Sequence, residues 1–332
     1  MRSLAGVFLI LFGLVFIQTG CAPDAPHDNP LDPRSPNYRD AGNLSGSVLT
    51  LSFPYKGISG ALVTIQENGL SKSTSSDGSF SFVDAPAGNI TLIVSKASYL
   101  SDTLHITVPV GGTYNATVHL DALPVITNSK VVTTKIDQWW PGPVYSATVT
   151  ANVTDPDGIG DVVDSTVCVR IDSLSFRMNY TGGSGNFGVT ISDSSLPGQD
   201  LQWLVGKEFI VSAADRESGT SFSQPFYVSR IIEAQESEPA PTQPLNSDST
   251  SPNPTFEWNP PSVSYSYTYF LQIYQINAGT QTQVGGTISL GESYVSYAYP
   301  GSLEKGTYIW TIGIVDQYGN SCRSKEAAFV VP

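Results

Sequence analysis

The 332-residue chain carries 16 Lys+Arg against 29 Asp+Glu, a net charge of −13, which excludes a nucleic-acid binder, because such a protein needs cations to neutralise phosphates. Only 14% of residues are charged, while Gly reaches 30, Pro 23 and Tyr 16 against 2 Met, the composition of short strands joined by turns. Length and composition together predict an all-β protein of two or three small domains, with 40% apolar and 11% aromatic residues to fill real cores.

Residues 1–20 read as a signal peptide. Arg2 supplies the positive start, and residues 4–17 are an unbroken apolar run of fourteen, too short for the ~20 residues that span a bilayer. Gln18-Thr19-Gly20-Cys21 then resembles the bacterial lipobox, although Gln18 stands where Leu is usual. That resemblance implies that Cys21 is lipidated and becomes the first residue after cleavage. An ordinary secretory signal with an incidental cysteine is the other reading. Ala22, not Asp, follows the cysteine, so the inner-membrane retention signal known from enteric lipoproteins is missing. The expected location is the bacterial outer membrane, lipid-anchored, facing outward or toward the periplasm. Residues 21–41 hold five prolines without periodicity and read as an extended tether.

Residues 42–121 form the first unit. Ala61, Val63 and Ile65 alternate onto one face, Ser75-Ser76-Asp77-Gly78 is a hairpin turn signal, and Phe80 and Phe82 follow at period two. Ile90, Leu92 and Val94, then Leu104, Ile106 and Val108, then Ala116, Val118 and Leu120 make further rows. Seven short strands with turns every eight to twelve residues predict a small sandwich. Gly46-Ser47-Val48, Gly60-Ala61-Leu62-Val63 and Thr74-Ser75-Ser76-Asp77-Gly78-Ser79-Phe80 resemble the carboxypeptidase regulatory-like domain, a transthyretin-like sandwich. Gly88-Asn89-Ile90 and Ser98-Tyr99 depart from its pattern, with Ile for Tyr and Ser for Gly. The resemblance implies an accessory, non-catalytic module.

Residues 122–232 form the second unit, with strand rows at 147–153, at Val167, Val169 and Ile171, at Phe187, Val189 and Ile191, at 204–213, and a final strand through Phe226-Tyr227-Val228. It resembles a bacterial immunoglobulin-like domain. Residues 233–243 are acidic and Pro-rich and read as a linker. Residues 244–332 resemble a fibronectin type III domain. Leu303-Glu304-Lys305-Gly306-Thr307-Tyr308-Ile309-Trp310 looks like its tyrosine corner, which implies that Tyr308 hydrogen-bonds back across the turn. The linker predicts that this third sandwich folds alone when cut before Pro244. The second and third units also end alike, with Asp215 or Asp316 opening a turn that closes at Gly219 or Gly319.

The candidate sites are few. Asp155, Asp157 and Asp161 in an Asp-Pro-Asp-Gly loop could bind Ca²⁺, though the EF-hand spacing is absent and the same string is a good turn. Trp139 and Trp140 could stack sugars; the other reading is that one caps the core and one packs between domains. Cys168 and Cys322 remain after Cys21, with no C-x-x-C pair, so neither a disulfide framework nor a thiolate zinc site is expected. The three histidines, His27, His105 and His119, sit in the tether and first sandwich, with no nucleophile-elbow motif. A paired-carboxylate hydrolase is not excluded by motif. No cofactor is expected beyond that Ca²⁺. The leading expectation is a non-catalytic cell-envelope lipoprotein that acts as a structural, adhesive or protein-binding display module. A glycan-binding accessory lipoprotein of a polysaccharide-uptake system is the alternative, and a hydrolase is the third.

Overall fold

The computed structural model describes residues 26–30, 32–38, 40–233 and 239–332. The signal peptide, Cys21 and residues 234–238 of the expected linker lie outside them. The chain divides into two compact units, Met1–Leu120 and Asp121–Pro332. Ahead of the first strand, the stretch expected to be an extended tether makes successive tight turns, with Ser35 N–H donating to Asp32 O at 2.8 Å and Tyr38 N–H to Ser35 O at 3.1 Å.

The first unit is a two-sheet sandwich. Ala41–Thr50 lies at the centre of one sheet, antiparallel to Ser79–Pro86 and parallel to Thr113–Leu120. The other sheet runs in the order Ser71–Ser73, Leu62–Ile65, Gly88–Ser95, Asp102–Val108. The period-two rows predicted from sequence supply its core: Ala61, Val63, Ile65, Phe80, Phe82, Ile90, Leu92, Val94, Val118 and Leu120 are all buried. Gly46 is required by the central strand, since a Cβ there would lie 2.1 Å from Ala116 O and 2.7 Å from the Phe80 ring. Thr74 is buried and ties the sheets' connection down, accepting from Ala61 N–H at 2.9 Å and donating to Ile58 O at 2.5 Å.

The second unit holds two sandwiches. In the first of these, Asn179–Gly182, Asn186–Ser192, Val144–Thr154 and Val125–Ile136 form one sheet, and Leu174–Arg177, Cys168–Ile171, Phe209–Ala214 and Thr220–Phe222 the other. In chain order these are the D-E-B-A and C′-C-F-G sheets of an immunoglobulin-like sandwich. Its core is Val149, Val153, Val167, Val169, Ile171, Phe187, Leu204, Phe209 and Val211 with their neighbours. Two strand bounds differ from expectation. Leu201–Leu204 is a 3₁₀ turn, and the strand begins at Phe209 after Gly206 at φ 74°. Residues 226–228 make no named strand; Phe226 only bridges Phe209.

The last sandwich sets Ala240–Gln243, Thr255–Asn259 and Ser296–Ala298 against Thr280–Gly291, Tyr267–Asn277, Gly306–Asp316 and the closing strands Ser321–Arg323 and Ala327–Val331. Three strands facing these is the fibronectin type III arrangement. Trp310 is fully buried against Phe256 at 5.0 Å and donates from Nε1 to Pro244 O at 2.9 Å, and Trp258 is also buried.

The linker expected at residues 233–243 is corrected. Ala240–Gln243, placed in the linker from its composition, is an edge strand paired with Thr255–Asn259. Ile232, assigned to the second sandwich, is buried in the core of the third. Ser321–Arg323 pairs in parallel with Val125–Ile136, so one ten-stranded sheet runs through both sandwiches. A Pro-rich acidic string shows low apolar content, but backbone hydrogen bonds at a sheet edge need no apolar row.

Candidate metal centre and exposed aromatic pair

Three separate segments of the second sandwich bring carboxylates together. Asp155, Asp157 and Asp161 lie on the loop after Val144–Thr154. Asp215 and Glu217 lie on the turn between Phe209–Ala214 and Thr220–Phe222. Asp121 immediately precedes the buried Ala122. Asp121, Asp157 and Asp161 each place an oxygen within 4.8 Å of the others, and so do Asp121, Asp215 and Glu217. The sequence reading therefore named two of the clustered carboxylates, Asp157 and Asp161. Asp155 falls outside both triplets and plays a different part: its Oδ1 accepts Asp157 N–H at 2.8 Å and shapes the loop.

Asp121, Asp215 and Glu217 were missed. Asp121 has no local motif around it, and Asp215 was visible only as a shared turn residue. Local geometry holds the set in place. Ala122 N–H donates to Asp157 Oδ2 at 2.9 Å, and Gly219 N–H donates to Asp215 Oδ1 at 2.6 Å. Asp121 is 7% exposed, Asp155 8% and Asp215 3%. Both carboxylate oxygens of Asp121, and Oδ2 of Asp155 and of Asp215, are buried with no hydrogen-bond partner among the described residues.

The electrostatics follow. Burial, then the charges of Asp215, Glu217, Asp161 and Asp157, push the Asp121 carboxyl up to about 7. Burial pushes Asp155 up to about 6, against the hydrogen bond from Asp157 N–H. Asp161 is raised by burial and by Glu217, Asp215 and Asp157, with Arg216 opposing.

Trp139 and Trp140 are 71% and 87% exposed, so neither caps a core. The Trp139 ring is nonetheless held: Nε1 donates to Glu326 O at 2.8 Å, and Lys325 Nζ sits 4.7 Å from its ring centroid. Tyr308 is buried and donates from Oη to Glu304 O at 2.8 Å, the corner expected of it. Cys322 is buried in the third core, and Cys168 is half-buried with Sγ 3.2 Å from Ser212 Oγ.

Among the described residues the contacts of His105 and His119 do not form a catalytic triad. His105 Nδ1 is 3.2 Å from Thr91 Oγ1, but Glu67 accepts the Thr91 backbone N–H instead of orienting the imidazole. His119 Nδ1 lies 2.9 Å from Thr50 O, and His27 contacts Asp32. A groove of about 530 Å³ is lined by Tyr145, Asp193, Asp200 and Glu233 among others. Its carboxylates serve local structure: Asp193 and Asp200 accept backbone N–H groups of Ser194 and Gln202, and Glu233 accepts from the Gln202 amide.

Solved structures similar to this chain are distant. A DUF3823-family protein from Bacteroides ovatus is 14% identical over 57% of this chain and 98% of its own, with a TM-score of 0.26. The FN1–FN3 domains of chicken CNTN1 are 11% identical over 88% of this chain and 95% of theirs, with a TM-score of 0.34. BcpA, the major pilin subunit of Bacillus cereus, is 11% identical over 84% and 91%, with a TM-score of 0.28. No curated protein matches. Residues 43–121 match the carboxypeptidase regulatory-like domain family, so the chain carries a carboxypeptidase regulatory-like domain followed by an immunoglobulin-like and a fibronectin type III-like sandwich.

Proposed function

We propose that this protein is a non-catalytic display protein of the bacterial outer membrane. Lipid on Cys21 anchors it, and its function is structural, adhesive or protein-binding. The observation that carries this reading is the ten-stranded sheet shared by the last two sandwiches. Backbone pairing and a buried polar junction make Asp121–Pro332 one stiff body, which suits presentation of loops and edges as binding surface. The histidines, all outside that body, and the structural employment of the groove carboxylates support a role without chemistry. Among the described residues no helix is long and apolar enough to cross a membrane, and a lipid would supply the attachment.

The test is palmitate labelling and fractionation of the full chain in a two-membrane host, with protease treatment of intact cells. Wild type should be labelled, sediment with outer membranes and be digested from outside. Cys21→Ala should be unlabelled and either uncleaved or soluble. A mature Cys21→Ala protein that still sediments with membranes overturns the anchor, and reproducible hydrolysis by the purified full chain overturns the non-catalytic role.

The exposed, ring-fixed Trp139 beside Trp140 favours a second reading, a glycan-binding accessory lipoprotein of a polysaccharide-uptake system. A held aromatic face loses little entropy on stacking against a sugar. A glycan array comparing wild type with Trp139→Ala/Trp140→Ala decides it. Binding should be present in the first and lost in the second, and no binding to any polysaccharide removes the reading.

A further inference from the structure

We infer that Asp121 organises a Ca²⁺ centre on the second sandwich, with Asp157, Asp161, Asp215 and Glu217 as the remaining carboxylate ligands. An acidic cluster alone would not carry this, because exposed carboxylates gather on many surfaces. The decisive feature is that Asp121 is more than nine-tenths buried and neither of its oxygens has a hydrogen-bond partner among the described residues. Its oxygens point at other carboxylates and at no donor. A buried carboxylate in that setting is strongly unfavourable unless a cation joins it.

The sister turn in the third sandwich shows what a satisfied version looks like. Asp316 stands where Asp215 stands, at the end of the equivalent strand. Each accepts, through one carboxylate oxygen, the backbone N–H four residues on: Gly219 for Asp215 and Asn320 for Asp316. The second oxygen of Asp316 is met by Arg230 Nη1 at 3.4 Å and Asn320 Nδ2 at 3.1 Å. The second oxygen of Asp215 has no partner among the described residues, and Asp215 belongs to the carboxylate set that includes Asp121 and Glu217. The same turn thus has protein cation and amide donors in one sandwich and lacks them in the other.

The donor set selects the ion. All ligands are oxygens, with neither His nor Cys in the triplets, which points to a hard cation rather than zinc or copper. Carboxylates from three chain segments suit the six to eight oxygens and irregular geometry of Ca²⁺, whereas Mg²⁺ demands a near-ideal octahedron and keeps its waters. Glu217 is exposed and Asp157 and Asp161 are half-exposed, so an ion can enter from solvent and reach the buried Asp121. The Asp155 and Ala122 bonds to Asp157 hold that ligand in place before the ion arrives.

The experiment uses the full chain, stripped with chelator and then titrated with CaCl₂ alone or MgCl₂ alone, read by calorimetric melting and by isothermal titration. Ca²⁺ at a hundredfold over its dissociation constant should raise the melting temperature of the Asp121–Pro332 unit by about 5–10 °C. Asp121→Asn should abolish both that shift and the binding heat. In chelator it should melt at or above wild type, because it removes a buried unpartnered charge while keeping the shape. Asp215→Asn is the second variant if Asp121→Asn does not fold, and it should weaken binding at least tenfold. No shift with Ca²⁺ up to about 5 mM, above the ~0.1–1 mM dissociation constants of extracellular modules, overturns the inference. So does an equal shift in the Asn variants, or an equal shift with Mg²⁺. None of these readouts depends on the membrane anchor or on a glycan.

Discussion

Asn320 of the third sandwich accepts the backbone N–H of Thr133 in the second at 3.0 Å, across 187 residues of chain. Around this bond lies a polar hub whose centre, Thr133, Asp316 and Asn320, is buried. Thr133 Oγ1 donates to Arg230 O at 2.7 Å, Asn320 Nδ2 donates to Ser229 Oγ at 2.8 Å, and the Arg230 guanidinium covers the Tyr265 ring at 3.5 Å while reaching Asp316. Each member is satisfied by another, so the hub specifies one relative placement of two sandwiches that apolar contact alone would leave free to slide.

Asn320→Ala should therefore be costly. It strands the buried Thr133 N–H and removes donors to Ser229 and Asp316, for ~2–3 kcal/mol. For a unit of this size that is a fall of about 4–12 °C in melting temperature. Scanning calorimetry should also show the two sandwiches melting in one transition in wild type. A loss below 1 °C, or two separate wild-type transitions, would show that the hub does not couple them.

Ile232→Ala probes the same fusion from the apolar side. Ile232 precedes the expected linker yet is buried in the third core. Truncating a buried Ile to Ala costs ~2–5 kcal/mol, so the third sandwich should lose denaturant resistance. The check is the urea midpoint by the fluorescence of Trp258 and Trp310; an unmoved midpoint counts against the packing.

Tyr308→Phe deletes only the corner hydroxyl, leaving the ring stacked on Phe329 at 5.2 Å. The orphaned Glu304 carbonyl makes this worth ~1–2 kcal/mol, or about 2–8 °C in melting temperature. A silent substitution would reduce Tyr308 to an ordinary strand residue.

Asp77 supplies a pH prediction in the first unit. Hydrogen bonds from Ser75 Oγ at 2.6 Å and Ser79 N–H at 3.1 Å hold its carboxyl down to about 2. A depressed carboxyl stabilises the fold above its unfolded value near 3.8 and loses that contribution as pH falls through about 2. A carboxyl NMR titration should find the midpoint near 2, moving upward in Ser75→Ala because that hydroxyl is the largest cause. A wild-type midpoint near 4 would mean the turn does not hold Asp77.

The first sandwich was legible almost strand by strand, because period-two alternation reports directly which side chains turn inward. Ala61, Val63 and Ile65, or Ile90, Leu92 and Val94, need no partner to be named before their face is known. The Tyr308 corner was legible for a similar reason: its donor and acceptor are four residues apart. Periodicity says what is buried but not against what. The parallel pairing of Ser321–Arg323 with Val125–Ile136, and the strand made by Ala240–Gln243, depend on backbone groups that every residue carries, so no side-chain pattern marks them. The acidic centre divides along the same line. Asp157 and Asp161 share a loop whose composition announces itself, whereas Asp121 and Asp215 are single carboxylates at strand ends. Only the tertiary structure brings the oxygens of Asp157 and Asp161, and of Asp215, within reach of Asp121, and only it buries Asp121 and Asp215.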